Sequence, residues 1–317
     1  MFYFFFEARH NPSRAPLVIW MTGGPGCSSE LAILYENGPF NLDKEGVLSE
    51  SAYGWDQYHD MIFVDQPVGT GFSYSEDDRD RVYGEDGVAN DMLDFVYEFL
   101  EMHDDLKDRP LFITGESYAG HYVPAVSHRI WRANKDMEGP HIHLQGLAVG
   151  NGLTDPAIQF NAYGDYAVEN ELISYPLRAA MSFFYPLCGL ATNLCQGTGW
   201  DLPCLLGLQY CMATQFQPIL SVNPSINVYD ITRECEGRLC YDFSAADEFL
   251  NDPQTRKMLG VGDRLWVSCA MDVYEDMSSD WLTKYDDILP EMMADGIRVM
   301  IYAGDLDLIC NYLGNRR

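Results

Sequence analysis

The chain has 317 residues, of which 47% are hydrophobic and 21% are charged, as is ordinary for a folded globular protein. Its 48 acidic and 20 basic residues give a formal net charge of −28, which repels nucleic acid and anionic membranes and argues against both as partners. No apolar run reaches the roughly 18–20 residues that a membrane helix requires.

The first half of the chain alternates strand-like and helix-like segments. Residues 1–10 and 16–24 predict adjacent strands joined by a polar turn at 11–14, and because the chain opens inside a strand we expect a missing upstream segment. Residues 87–105 have the apolar spacing of a helix. Further strands are predicted at "MIFVDQ", "RPLFIT" and "HLQGLAVGNG". Near-continuous apolar strands that alternate with helices indicate an α/β fold with a largely parallel sheet.

Two glycine-rich loops follow predicted strands. In "LFITGESYAGHYV", Ser117 lies between a strand and a helix within Gly-x-Ser-x-Gly, a sharp turn that needs small neighbours and exposes the serine hydroxyl. We expect Pro124 to break that helix early. The earlier loop, "GGPG", has a backbone that can approach a ligand closely. As in α/β-hydrolases, the N–H groups of Gly24 and Tyr118 are then expected to form an oxyanion hole for Ser117.

The alternation stops near residue 153, and it returns near residue 287 with a helix and a strand at "ILPEMMADG" and "IRVMIYAG". We therefore divide the chain into a first core part, a cap or insertion and a second, incomplete core part, at residues 1–152, 153–286 and 287–317.

Six of the nine cysteines lie between residues 188 and 240, which favours disulfide bonds and an oxidising compartment. Cysteines seven residues apart share a helix face, and the eight-residue connection between the two pairs favours an antiparallel hairpin with nested bridges, Cys188–Cys211 and Cys195–Cys204. Cys235 and Cys240 are close enough for a local bridge. A zinc site or free thiols are the alternatives, but this region has no histidine. No N-glycosylation is expected, because proline occupies the middle of both candidate acceptors.

Six segments together resemble the serine carboxypeptidase family, peptidase family S10. They are "VIWMTGGPGCSSE", "YENGPF", "DQPVGTGFSYS", "GESYAGHYVPA", "VGNGLTDP" and "YAGDLDLICNYLGN". They occur in the family's order, and "NVYDITRECEGRLCYDFS" resembles its carboxypeptidase Y-like branch. The resemblance implies an α/β-hydrolase fold with a helical, disulfide-bearing cap. It also implies a serine-type carboxypeptidase that releases C-terminal amino acids from peptides and proteins through an acyl-enzyme at acidic pH, without a cofactor or metal.

The resemblance also implies roles for particular residues. Ser117 is the nucleophile and Asp307 the catalytic acid, with Asp305 as the second candidate. The implied site for the substrate's free carboxylate consists of Trp20, Thr22, Gly23, Glu36 and Glu116. Two carboxyl groups can hold a carboxylate only if they share protons, so binding should weaken as pH rises. The family's cysteine pattern agrees with the three bridges above, adds Cys27–Cys269 and leaves Cys310 as a free thiol near the site, for which we expect mercurial sensitivity.

The triad histidine is absent from the sequence. In this fold the base follows the acid, but all seven histidines precede Asp307. His121 is expected to point away from the Ser117 hydroxyl, and His141 and His143 to share one face of a strand rather than bind a metal. We expect a truncated chain that lacks the final strand, one chain of a two-chain enzyme whose partner supplies the histidine, or a pseudoenzyme. Alone, the 317 residues should lack measurable carboxypeptidase activity.

Other functions and the location stay open. Thr22 stands where many family members have asparagine, and some members with threonine there are acyltransferases, so an acyltransferase is one alternative. A non-catalytic binding module that keeps carboxylate recognition is another. The resemblance implies a vacuole-like or lysosome-like compartment or secretion, with peptide and protein C-termini as partners.

Overall fold

A computed structural model describes residues 1–198, 200–237 and 239–317, and these ranges contain eight strands and twelve α-helices. The strands are β1 (Phe2–Phe6), β2 (Leu17–Met21), β3 (Phe40–Leu42), β4 (Leu48–Glu50), β5 (Asp60–Asp65), β6 (Leu111–Glu116), β7 (Leu144–Gly150) and β8 (Arg298–Tyr302). The helices are α1 (Glu30–Tyr35), α2 (Glu85–Met102), α3 (Ala119–Asp136), α4 (Pro156–Glu169), α5 (Tyr175–Thr198), α6 (Asp201–Cys211), α7 (Gln217–Val222), α8 (Ser244–Asn251), α9 (Pro253–Leu259), α10 (Met271–Asp276), α11 (Leu289–Ala294) and α12 (Tyr312–Arg316).

Six strands form the central sheet in the order β1-β5-β2-β6-β7-β8. All neighbouring pairs are parallel except β1 and β5. The expectation that β1 and β2 are adjacent is wrong, because β5 lies between them and pairs with both. The α/β-hydrolase fold with a mostly parallel sheet and flanking helices is confirmed.

The sheet is packed on both faces because side chains of a strand alternate between its two sides. Leu17, Ile19 and Met21 of β2 face α2 and α3, whereas Val18 and Trp20 face α1 and α8. The predicted helix at 87–105 is α2, whose apolar positions are buried. The apolar strand runs were therefore the correct signal for a sheet that is covered on both sides.

Helix α3 does not end early at the proline, contrary to expectation. It continues twelve residues beyond Pro124 to Asp136, with Val126 and Ile130 fully buried. A proline removes one helical hydrogen bond. Burial of the apolar face of α3 against the sheet and α2 outweighs that loss.

Helices α4 to α7 surround a third apolar cluster that contains both nested disulfide bonds. The four disulfide bonds of the structure join the four expected pairs, Cys27–Cys269, Cys188–Cys211, Cys195–Cys204 and Cys235–Cys240. None of the helices in the described ranges has the length and hydropathy that crossing a membrane demands. The three-part division of the chain remains a prediction.

Candidate active site

Ser117 occupies the turn between β6 and α3 with a left-handed φ of 60°. A Cβ at Gly115 would lie 2.3 Å from the carbonyl oxygen of Met21, and one at Gly120 would lie 2.4 Å from that of Leu153. The Ser117 carbonyl accepts a 2.9 Å hydrogen bond from the Leu153 N–H. A non-glycine residue in this conformation is strained, and its surroundings must hold it there. The small neighbours are thus required by close backbone packing around the serine.

The glycine loop after β2 passes directly against this turn. A Cβ at Gly23 would lie 2.5 Å from the backbone nitrogen of Tyr118 and 2.9 Å from the Ser117 Cβ. Gly24 has a φ of 115°, a conformation that side-chain-bearing residues rarely adopt. Gly24 and Tyr118 both line the cavity into which Ser117 opens.

That cavity has a volume of about 1760 Å³ and lies at the carboxyl ends of the parallel strands. Open α/β sheets bind ligands at this edge. The cavity brings together most of the residues singled out in the sequence. They are Thr22, Gly23, Gly24, Glu36, Glu116, Ser117, Tyr118, Asp305, Asp307 and Cys310.

Glu36 and Glu116 both line the cavity with Ser117, and their carboxyl groups are close enough to influence each other's ionisation. Burial and the neighbouring Glu116 carboxyl raise the pKa of Glu36 well above its ordinary value. Burial also raises the pKa of Glu116. Glu36 nevertheless faces the open cavity and is exposed to its water. The close carboxyl neighbour is therefore the firmer cause of the shift, and the pair retains a proton at mildly acidic pH.

Asp307 follows β8 and is only 9% exposed. One carboxylate oxygen accepts hydrogen bonds from the backbone N–H groups of Ile309, at 2.8 Å, and Cys310, at 3.3 Å. Burial raises the pKa of Asp307 to about 7 despite those two donors. By contrast, Asp305 is exposed at the cavity mouth.

Trp20 is the one member of the expected carboxylate site that does not line the cavity. Its indole is 3% exposed and packs against Trp55 at 5.4 Å, on the α1 side of the sheet. The indole N–H donates a 3.0 Å hydrogen bond to the Thr22 hydroxyl. The expected contact of Trp20 with the substrate carboxylate stays a prediction; what the structure shows is a contact of the indole with Thr22, which does line the cavity.

None of the seven histidines, all of which lie in the described ranges, lines the cavity. His121 is fully buried behind the turn, where its Nδ1–H donates a 2.5 Å hydrogen bond to the Leu153 carbonyl. Burial lowers the His121 pKa, so the ring is neutral. His141 and His143 precede β7, and the described residues include no group of three potential metal ligands.

Two features of the site escaped the sequence analysis. Asn151, at the end of β7, lines the cavity with a left-handed φ of 41°, and its side chain accepts from the Gly304 N–H at 2.9 Å. It thereby links β7 to the loop that carries Asp307. The "GNG" sequence around Asn151 was the available signal, because asparagine tolerates the left-handed region. The second feature is Asp280, which accepts a 3.0 Å hydrogen bond from the Tyr118 hydroxyl.

Cys310 is buried and remains unpaired beside this site. Burial and the nearby carboxyl groups of Asp307 and Glu116 raise the pKa of its thiol well above the ordinary value. The thiol is therefore protonated at neutral pH, which makes it a weak nucleophile.

Comparison with known proteins places these features in a family. Residues 1–317 match the family described as serine carboxypeptidase. The chain is 50% identical to serine carboxypeptidase 3 of Hordeum vulgare and 50% identical to serine carboxypeptidase-like 49 of Arabidopsis thaliana, in each case over 317 residues. Each match covers all of this chain, but the chain spans only 62% and 61% of the length of those two proteins.

A similar solved structure is the crystal structure of a prohormone-processing carboxypeptidase from Saccharomyces cerevisiae. The TM-score is 0.84 with 28% sequence identity, and the match covers 99% of this chain and 71% of that one.

Proposed function

Since this chain belongs to the serine carboxypeptidase family, we propose that it carries the nucleophile and the substrate-recognition site of a serine-type carboxypeptidase. The observation that supports this most directly is the placement of the Glu36 and Glu116 carboxyl groups in the same cavity as Ser117. A carboxyl pair beside a nucleophile favours substrates with a free C-terminal carboxylate, which distinguishes an exopeptidase from other serine hydrolases.

In the proposed reaction, the Ser117 oxygen attacks the carbonyl carbon of the last peptide bond and forms a tetrahedral oxyanion. Collapse of that intermediate releases the C-terminal amino acid and leaves an acyl-enzyme, which water then hydrolyses. The backbone N–H groups of Gly24 and Tyr118 stabilise the oxyanion. Their position on either side of Ser117, with Gly23 packed against the Tyr118 nitrogen, supports this role.

Acidic pH is proposed to favour substrate binding. While the Glu36–Glu116 pair holds a proton, it donates a hydrogen bond to the substrate carboxylate, with Thr22 and Gly23 beside it. As the pH rises, the pair loses that proton and repels the carboxylate. The four disulfide bonds support an oxidising location, either secretion or a vacuole-like compartment.

Asp307 is proposed to orient and stabilise a histidine that acts as general base. Because no histidine in the described ranges lines the cavity, we propose that this base lies outside these 317 residues, on a longer form of the protein or on a second chain. Without it, Ser117 is not activated, and the chain binds substrates rather than turning them over. A permanently non-catalytic binding module is the competing function.

Binding of an N-acyl dipeptide to the 317-residue chain, measured by titration calorimetry, tests recognition separately from catalysis. We expect binding at pH 5, at least about tenfold weaker binding at pH 8, and at least about tenfold weaker binding of the C-terminal amide at pH 5. Glu116→Gln should remove most of the pH dependence, whereas Glu234→Gln, which neutralises an exposed acid at the cavity mouth, should not. Equal affinity for acid and amide would contradict the proposed recognition. Turnover of the dipeptide at an ordinary enzymatic rate would contradict an external base.

Turnover also separates the other functions once the whole protein is assayed. A carboxypeptidase hydrolyses the dipeptide, an acyltransferase prefers a glucose-ester donor with an alcohol acceptor, and a binding module binds the dipeptide but acts on neither.

A further inference from the structure

Residues 268–285, which include α10, contact both the glycine loop after β2 and Tyr118, the residue that follows Ser117. On the glycine-loop side, Cys269 forms a disulfide bond with Cys27. The Ala270 N–H donates a 2.8 Å hydrogen bond to the Gly26 carbonyl. The Val273 side chain also packs so closely against Gly26 that a Cβ there would lie 2.9 Å from it. The glycine loop is thus fixed to this segment by a covalent bond, a hydrogen bond and a packing contact.

On the other side, Asp280 of the same segment holds the side chain of Tyr118. The Tyr118 hydroxyl donates a 3.0 Å hydrogen bond to one Asp280 carboxylate oxygen, and the Tyr285 hydroxyl lies 3.4 Å from the other. The Tyr118 side chain is 2% exposed, and its ring packs 5.5 Å from that of Trp281. Tyr118 cannot move without breaking these contacts.

His121, three residues further along the chain in α3, also supports Tyr118. Its ring stacks on the Tyr118 ring at 4.6 Å. Its Nδ1–H donates to the Leu153 carbonyl, and the Leu153 N–H donates to the Ser117 carbonyl. The backbone of the strained turn is therefore held by His121 through Leu153, while the Tyr118 side chain is held by Asp280.

We propose that residues 268–285 act as a clamp that sets the spacing between the Gly24 and Tyr118 N–H groups, with Asp280 as a positioning residue that acts through Tyr118. This inference rests on the proposed function, in which those two groups stabilise the oxyanion. Such donors stabilise the transition state only when they are fixed in advance at hydrogen-bonding distance from the oxyanion. The contribution of Asp280 therefore appears in binding of the tetrahedral species and not in binding of the substrate.

The clamp operates at acidic pH as well. Burial raises the pKa of Asp280, while hydrogen bonds from the hydroxyls of Tyr118, Thr283 and Tyr285 counteract that shift. A protonated carboxyl group still has an acceptor oxygen, so the Tyr118 hydroxyl donates to Asp280 in either protonation state.

Two ligands separate positioning from simple loss of structure. An N-acyl dipeptide reports ground-state binding, and an N-acylaminoalkyl boronic acid reports binding of the tetrahedral species. In the boronic acid adduct, the Ser117 oxygen bonds to boron, its proton passes to solvent, and a boronate oxygen takes the oxyanion position. Both affinities are measured with the 317-residue chain at pH 5.

Asp280→Ala and Tyr118→Phe should each weaken boronic acid binding by at least about tenfold and change dipeptide binding by less than about twofold. Asp280→Asn retains an acceptor oxygen and should recover most of the boronic acid affinity. Glu169→Ala and Tyr312→Phe are matched controls, because they remove another hydrogen bond from a tyrosine to a carboxylate, of 2.6 Å, between two residues that do not line the cavity. These two should bind both ligands as the wild type does.

Unchanged boronic acid binding in Asp280→Ala and Tyr118→Phe would overturn the clamp, and so would a parallel loss of both affinities. If the wild-type chain bound the dipeptide but gained nothing for the boronic acid over Ser117→Ala, the Gly24 and Tyr118 N–H groups of these 317 residues would not stabilise a tetrahedral adduct on Ser117, and the inference would fall with that part of the proposed function while the recognition of the carboxylate would stand. Because Tyr118→Phe keeps the packed ring, it remains informative if Asp280→Ala does not fold.

Discussion

Replacing Asp307 by asparagine should raise the free energy of unfolding above that of the wild type, and this gain should be larger at pH 8 than at pH 4. The Asp307 carboxyl is 9% exposed, and burial raises its pKa to about 7 from 3.8. The folded protein therefore binds this proton more tightly than the unfolded chain does. The free energy of unfolding then falls as pH rises from about 4, where the unfolded carboxyl ionises, to about 7, where the folded one does.

The size of the effect follows from the shift of about three pKa units, each of which corresponds to about 1.36 kcal/mol. The charge should therefore cost about 4 kcal/mol at pH 8, as an order of magnitude. Asparagine has nearly the same shape and keeps an oxygen for the Ile309 and Cys310 N–H groups, but it carries no charge.

Urea unfolding followed by tryptophan fluorescence at pH 4 and pH 8 measures this effect. The difference between mutant and wild type at pH 8, minus the difference at pH 4, cancels the contributions of other titrating groups. Asp305→Asn is the matched control, because this acid lies two residues earlier in the same loop but is exposed. We expect about 4 kcal/mol for Asp307→Asn and close to zero for Asp305→Asn. A value below about 1 kcal/mol for Asp307→Asn would refute the argument that this carboxyl is desolvated.

Two further predictions concern the backbone around the site. Ser117→Gly should raise the free energy of unfolding by about 0.5–1 kcal/mol, because glycine adopts a φ of 60° without strain. Ser127→Gly, inside α3, should lower it by a similar amount, and urea unfolding distinguishes the two signs. Replacing Cys27 and Cys269 by serine should cost about 2–4 kcal/mol in the same assay, because a bridge that spans 242 residues strongly restricts the unfolded chain. Replacing Cys235 and Cys240 should cost less, because that bridge spans only 5 residues, and equal losses would contradict this dependence on loop length.

Sequence reasoning succeeded where a feature is local. A strand, a glycine-bounded serine and a helix occupy consecutive residues around Ser117, so the turn is encoded within a single short segment. The nested bridges of α5 and α6 follow from a seven-residue spacing on two helices joined by a short connection. The family resemblance then supplied the Cys27–Cys269 bridge, which local patterns do not reveal, whereas the catalytic role that it implies for Asp307 stays a prediction.

It failed where tertiary packing decides the outcome. The packing of Trp20 against Trp55 and the apolar cluster on the α1 side of the sheet is one example, because no periodicity in the sequence encodes that contact. The pairing of β1 with β5 rather than β2 is set by the whole sheet. Asp280 lies 162 residues from Tyr118 in an irregular segment, so their hydrogen bond was visible only in three dimensions.

The position of β8 in the sheet has a consequence for motion. Within the described ranges β8 pairs only with β7, and Met300 and Ile301 are more than 40% exposed. Ser117 instead follows β6, which has partners on both sides. Local opening begins where backbone hydrogen bonds and buried contacts are fewest, so in the 317-residue chain by itself β8 should open more readily than β6. In hydrogen exchange, the backbone amides of β8 and β6 should therefore behave as members of different cooperative units, whereas the loop that carries Asp307 is held independently of β8 by hydrogen bonds from the Tyr163 and Tyr166 hydroxyls.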